Sequence, residues 1–258
     1  FGHVTGLVGL ERQKPFVFIP YLVQGTKFGR HEKTSGAQPA WKPVDDSWQS
    51  DLGLDLRFRP ANYLETNLTF NPDFATIEAD QFLFNLTLDE LQYPEKRPFF
   101  TEGQSQFETP IELLYTRRIG LGNDEVVAGG KMHGRVGTVD FGVLDVTTGR
   151  GLETDFNYSA VRLKKDILRS STVGIMAVGK NELSSGMDTV NQAVGVDFNF
   201  QINQATRLTG QFARSSRPVT DSNGYAGQIN FQYSDRLVNP HDNLSVSFSL
   251  QDATEDFD

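Results

Sequence analysis

The residues best placed to do chemistry in this chain lie in one stretch. NPDFATIEAD at 71–80 brings Asp73, Glu78 and Asp80 close together, and oxygen donors at such spacing could gather round a calcium ion. The run lacks the ligand alternation and central glycine of an EF-hand loop, so it reads as a solvated acidic loop and no metal is assigned. PEKRPFFTEG at 94–103 follows. Pro94 and Pro98 bar ladder pairing and fix an irregular turn. Glu95, Lys96, Arg97 and Glu102 can neutralise one another, and Phe99 and Phe100 would anchor the turn in apolar surroundings. In YTRRIG at 115–120, Arg117 and Arg118 would sit on opposite faces of a strand, one inward beside those carboxylates, the other where its head group reaches water.

Little else suggests catalysis. His3, His31, His133 and His241 are scattered without zinc-site spacing. His133 follows Lys131 at a two-residue step and so shares its face, as an interior histidine held by hydrogen bonds rather than as a base. No GxSxG elbow or phosphate loop occurs, and GLGNDE at 120–125 and NPHDN at 239–243 read as turns. The expectation is therefore no enzyme activity and no cofactor.

The elements that must position these residues are strands. VGVDFNFQIN at 194–203 puts Val194, Val196, Phe198, Phe200 and Ile202 on one face and Gly195, Asp197, Asn199, Gln201 and Asn203 on the other. The same period recurs in YAGQINFQYS at 225–234 and LSVSFSL at 244–250. About fourteen candidate strands follow, at 4–10, 16–24, 51–59, 63–71, 81–88, 111–119, 126–134, 139–147, 155–163, 172–181, 193–203, 206–214, 224–234 and 243–251. Each is near the length that crosses a bilayer when tilted. Short joints at 11–14, 60–62, 135–138 and 204–205 interleave with longer connections at 25–50, 148–154, 182–192 and 215–223, which is the outer-membrane pattern. Residues 81–88 are ambiguous with a short helix, and counting them as a strand keeps that alternation in step.

A soluble β-sandwich alternates too. Against it, about fourteen strands in one meander exceed a comfortable open sheet, and polar faces rich in Asn, Gln, Ser, Thr and Gly suit a crowded or water-filled interior. A mean hydropathy of -0.39 is no argument for solubility, because each barrel strand hides its apolar half among polar neighbours. The formal net charge of -9 argues against a nucleic-acid partner. With no Cys there are no disulfides and no thiol chemistry. Residues 1–10 already read as a strand without a signal-peptide pattern, and TEDFD lacks the aromatic end of a finished barrel, so both ends read as cuts in a longer polypeptide. The expected fold is all-β, an antiparallel transmembrane β-barrel of the outer membrane. Residues 1–258 would be one domain and part of the full barrel, with 71–120 as a non-repeat segment serving as lumen brace, plug or loop.

NPDFATIEAD, NLTLDEL at 85–91, PEKRPFFTEG and YTRRIG, in that order and spacing, resemble the hallmark run of a bacterial family, the domain of unknown function 5916. The run covers roughly the central fifth of the chain. Ala75 and Thr76 stand where the family usually has Gly and Gln, and LDELQY where it often has a Leu- or Phe-rich piece. The resemblance implies an outer-membrane barrel, commonly downstream of a secreted module like family-9 carbohydrate-binding domains, and implies no established activity. It singles out as a lumen-bracing motif Asn71, Pro72, Asp73, Phe74, Glu78, Asp80, Asn85, Glu95, Lys96, Arg97, Pro98, Phe99, Phe100, Glu102, Gly103, Arg117 and Arg118. The expected role is a non-enzymatic conduit, export partner or surface anchor in outer-membrane lipid, working with a secreted or periplasmic protein partner. The alternatives are a membrane anchor for a glycan-binding or glycan-processing protein, and a soluble sandwich or adhesin.

Overall fold

The computed structural model describes residues 15–27, 30–34, 39–43, 47–72, 74, 92–120, 125–149, 155–168, 170–183, 188–218, 221–234, 245–254 and 257. The strands are β1 (Phe16–Lys27), β2 (Arg30–Thr34), β3 (Pro39–Pro43), β4 (Ser47–Ala61), β5 (Leu64–Phe70), β6 (Glu125–Val136), β7 (Val139–Gly149), β8 (Phe156–Leu168), β9 (Ser171–Glu182), β10 (Asp188–Gln201), β11 (Thr206–Arg217), β12 (Ser222–Ser234) and β13 (Ser245–Ala253). β2 and β3 pair only with each other, inside the connection at 25–50 that was expected to be plain loop. RHEKT has no apolar alternation and PAWKP is bounded by prolines, so neither carries the period-two signal. The other eleven form one antiparallel sheet in the order β1-β4-β5-β6-β7-β8-β9-β10-β11-β12-β13. Each of its strands falls on a candidate from the period-two pattern. The sheet is all-β as expected but is not closed, and β1 and β13 are its edges.

Residues 4–10 and 81–88 lie outside the described residues. The strand expected at 111–119 is not formed. Thr116–Arg118 is a 3-10 turn, and the carbonyls of Thr116 and Ile119, which a ladder would use, accept hydrogen bonds from the Arg97 guanidinium at 2.5 and 2.6 Å. β5 therefore pairs directly with β6, from Leu64↔Gly134 to Phe70↔Ala128. The chain leaves β5 and enters β6 at one end of the sheet.

The two faces of the sheet are opposite in character. Asn67, Lys131, Asp140, Arg162, Asp197 and Gln211 share one face by register and are all buried. The other face carries Phe18, Leu52, Phe58, Leu163, Ile175, Val196, Phe212 and Phe248, all exposed, with Leu52 at 73%. The cover on the polar face is the segment 92–120. Glu102 pairs with Arg57 on β4 at 2.5 Å, while the Ile111 amide donates to Gln211 on β11 at 2.6 Å. In a flat sheet β4 and β11 would stand about 34 Å apart, at about 4.8 Å per strand. The chain from Glu102 to Ile111 spans at most about 31 Å when fully extended, and its 3-10 turn at Gln104–Gln106 shortens it further. The segment thus bridges the polar face from β4 to β11, the side chains at either end completing the reach.

Tight backbone approaches set parts of the register. Arg135 donates its amide to the Tyr63 carbonyl at 3.0 Å, and a Cβ on Gly134 would overlap that same oxygen. By contrast, a Cβ on Gly227 would meet nothing within 4 Å. Gly134→Ala is expected to push β5 and β6 apart and cost about 1–3 kcal/mol, whereas Gly227→Ala should stay within about 0.5 kcal/mol, both read from midpoints of chemical denaturation.

Candidate functional site

The segment 92–120 is organised round one buried ion pair. Pro94 and Pro98 prevent strand formation, and Pro98 opens a one-turn helix at Pro98–Thr101. Just before it, the Arg97 guanidinium meets the Glu95 carboxylate through Nε at 2.9 Å and Nη2 at 2.7 Å. Glu95 also accepts from the backbone amide of Arg97 at 2.9 Å and from the Thr116 hydroxyl at 2.7 Å. With its bonds to the Thr116 and Ile119 carbonyls, Arg97 ties the first half of the segment to the second. Its carbon Cζ lies 4.1 Å from the Phe100 ring centroid and 5.2 Å from that of Phe74, which adds cation–π attraction in a desolvated place. Burial pushes the Glu95 carboxyl upward, but the Arg97 hydrogen bonds and charge, with the Thr116 hydroxyl, outweigh it and hold it below 4.5.

The clasped segment is seated on the sheet by apolar and polar contacts together. Phe99 and Phe100 are buried and meet edge to face at 5.0 Å. They form one core with Phe107, Ile119, Leu144, Val146 and Met176. Phe99 lies over Gly129, Phe107 over Gly142 and Leu113 over Gly195, where any Cβ would meet them at 2.7–3.0 Å. Lys131, only 2% exposed, points its ammonium at the end of the one-turn helix and donates to the carbonyls of Phe99 and Glu102. These are carbonyls that a helix end leaves without partners. The Glu102 side chain continues outward to Arg57 and accepts from Asn67 at 3.0 Å. Burial pushes the Glu102 carboxyl up, offset only in part by Arg57 and Lys131. Gly103 has φ +65° and its Cα faces the His133 ring, a position open only to glycine on both counts.

A second buried pair lies on the sheet itself. Arg162 on β8 binds Asp197 on β10 in bidentate fashion, with Nη2 to Oδ1 at 2.9 Å. It reaches across β9 because the residue between them is Gly174. Two cavities flank the segment. One of about 510 Å³ is lined by Tyr93, Phe107, Glu112, Tyr115, Arg117 and Lys131. The other, about 690 Å³, is lined by Leu113, Arg118, Tyr158, Lys180, Asn191 and Arg217. Glu112 borders both cavities, and burial pushes its carboxyl up. Among the described residues no group of His, Asp or Glu could hold a metal ion.

The residues singled out from sequence distribute unevenly. Asp73, Glu78, Asp80 and Asn85 lie outside the described residues. Asn71 ends β5 with φ +47°, a left-handed turn that asparagine tolerates, and donates to the Leu52 carbonyl at 2.8 Å. Pro72 follows it, and Phe74 packs on the buried cluster. Glu95, Arg97, Pro98, Phe99, Phe100, Glu102 and Gly103 come together as above, with Lys96 donating its amide to Glu95 at 3.1 Å. Two details differ from expectation. Glu102 neutralises Arg57 on β4 and not the neighbouring Lys96 or Arg97, and Arg117 and Arg118 lie in a 3-10 turn and not on opposite faces of a strand. Sequence reasoning missed Arg57, Asn67, Arg162, Asp197 and Gln211. Their signal was a charged or amide residue at mid-strand on the polar parity.

Because Glu95 titrates below its unfolded value, its clasp adds stability that is complete above 4.5 and is lost as the pH falls through the folded value. Glu102 and Glu112 have the opposite sign, since burial favours their protonated forms. Glu95→Gln is expected to cost about 3 kcal/mol at neutral pH. The difference from the parent should shrink steadily below 4.5, measured by chemical denaturation across that range.

Comparison with known proteins gives one positive finding. Residues 18–132 match the family model described as Domain of unknown function (DUF5916). No curated protein and no solved structure matches the chain. The matched stretch runs from β1 into β6 and holds the Glu95–Arg97 clasp with its seats at Arg57, Asn67 and Lys131. Over residues 18–132, a little under half of its length, this chain is thus similar to the DUF5916 family.

Proposed function

We propose that this chain forms the wall and internal plug of a β-barrel conduit in the bacterial outer membrane, and that it is not an enzyme. The observation that carries the reading is the inverted polarity of the sheet. Charges and amides are buried on the covered face, while exposed rows of Phe, Leu, Val and Ile run from β1 to β13 on the other. Among the described residues no second sheet covers those rows. In water such a continuous apolar surface is a liability, and against acyl chains it is the favourable arrangement. Most strands of the sheet exceed the length that crosses a hydrocarbon layer when tilted.

The open edges fit the same reading. In an eleven-stranded antiparallel sheet β1 and β13 run in the same direction, so antiparallel closure takes an odd number of further strands from outside the eleven. Lipid leaves no backbone edge unpaired. The segment 92–120 then lies in the lumen as a brace, with the two cavities as the passage it leaves. The partner of such a conduit would be a secreted or periplasmic protein, and its solvent the outer-membrane lipid.

Excising 99–107 is expected to raise single-channel conductance in planar bilayers. The chain has no Cys, so Leu113→Cys with Gly195→Cys gives a second test. A Cβ on Gly195 lies 2.7 Å from the Leu113 side chain, and oxidation should hold the segment on β10 and suppress openings that reduction restores. Conductance unchanged by both manipulations removes the plugging role. A compact monomer that stays in solution without detergent removes the membrane itself.

A further inference from the structure

The apolar face is not uniform. The outward position Gly227 on β12 has no side chain, and Phe198, Phe212, Ile229 and Leu250 stand round it, with the Phe198 ring closed over Gly210 on β11. The result is an apolar groove of about 600 Å³. Its floor at Gly227 is bare, since a Cβ there would touch nothing within 4 Å. Two opposite charges mark its end toward the 218–221 connection. Arg214 is the next outward residue on β11 after Phe212, and Asp252 on β13 is the register partner of Gly227 and lines the groove. The Arg214 guanidinium is 5.6 Å from the Tyr225 ring centroid and donates to Asn223 at 3.0 Å. The side chain is exposed, and one hydrogen bond uses one of its five N–H groups. On β11 the outward sequence Leu208, Gly210, Phe212, Arg214 passes from hydrocarbon to charge, as a strand does where it leaves the acyl region.

We propose that this groove binds one phospholipid whose head group carries a primary ammonium. An acyl chain lies over Gly227 among Phe198, Phe212, Ile229 and Leu250, the phosphate meets Arg214, and the ammonium meets Asp252. The pairing of charges selects the class. A head group with net negative charge would satisfy Arg214 but face the Asp252 carboxylate. A quaternary ammonium has no N–H to give that carboxylate, whereas a primary ammonium has three. The bare backbone at Gly227 supplies what a fluid chain needs on a wall of large side chains, a gap to lie in. The proposal rests on the bilayer reading above.

The test is native mass spectrometry of the whole chain released from bilayer discs holding equal parts of phosphatidylethanolamine, phosphatidylglycerol and phosphatidylcholine. One retained lipid per chain is expected, with phosphatidylethanolamine several-fold over the other two. Asp252→Asn should bring the three lipids within about twofold of one another. Gly227→Leu fills the groove with a side chain that its surroundings admit, so it should lower retention of all three several-fold while far-UV circular dichroism stays that of the parent. Equal retention of the three lipids by the parent, a preference for phosphatidylglycerol, or variants that leave the pattern unchanged would each overturn the site. A chain that never enters the discs defeats the bilayer reading instead, so the two failures are told apart.

Discussion

The structure depends on a sheet that keeps its ions on the side it covers and its hydrocarbon on the side it leaves open. A buried ammonium or carboxylate without partners costs several kcal/mol, of order the whole stability of a domain. The polar face therefore needs an occupant that brings hydrogen-bonding groups with it. The segment 92–120 is built as that occupant. Its prolines keep it out of the ladder, so its carbonyls stay available, and Lys131 and Arg97 take those of Phe99, Glu102, Thr116 and Ile119. Regular structure would have spent the same carbonyls on itself, leaving Lys131 on the sheet without an acceptor.

The sheet in turn is cut to receive its occupant. Gly129, Gly142 and Gly195 stand on three different strands and each faces one large side chain of the segment, Phe99, Phe107 and Leu113. Glycine in a strand interior weakens the strand. Here the loss is offset because each missing side chain lets an apolar group approach the backbone and exclude water from the charges beside it. Gly174 plays the same part within the wall, giving the Arg162–Asp197 pair a bed across an intervening strand. Glycine and ion pair are two halves of one device, since a bidentate guanidinium needs a flat unobstructed surface.

The sheet was legible in sequence because period two is a local property. A row such as Val194, Val196, Phe198 and Phe200 declares its face without knowledge of any neighbour. Three features were not legible for the opposite reason. The stretch 111–119 has acceptable strand residues, and only the distant Arg97 withdraws its carbonyls from pairing. Glu102 sits among cations in sequence yet finds Arg57, because the one-turn helix at Pro98–Thr101 swings its side chain toward β4. Arg162 and Asp197 are widely separated and their link passes over a third strand, so no window of sequence contains it. The resemblance to the family motif located the clasp at Glu95 and Arg97. It could not locate the seat, half of which lies beyond residue 132.

The buried carboxylates also hold the segment and the sheet together. Glu95 has both carboxylate oxygens committed to Arg97 and Thr116, and Asp197 has both committed to Arg162. Glu102 divides its two oxygens between Arg57 and Asn67. In each pair the partners hold one another, and the bonds run between elements that would otherwise separate. Glu112 borders both cavities, and Glu95 and Glu108 line the first of them with it.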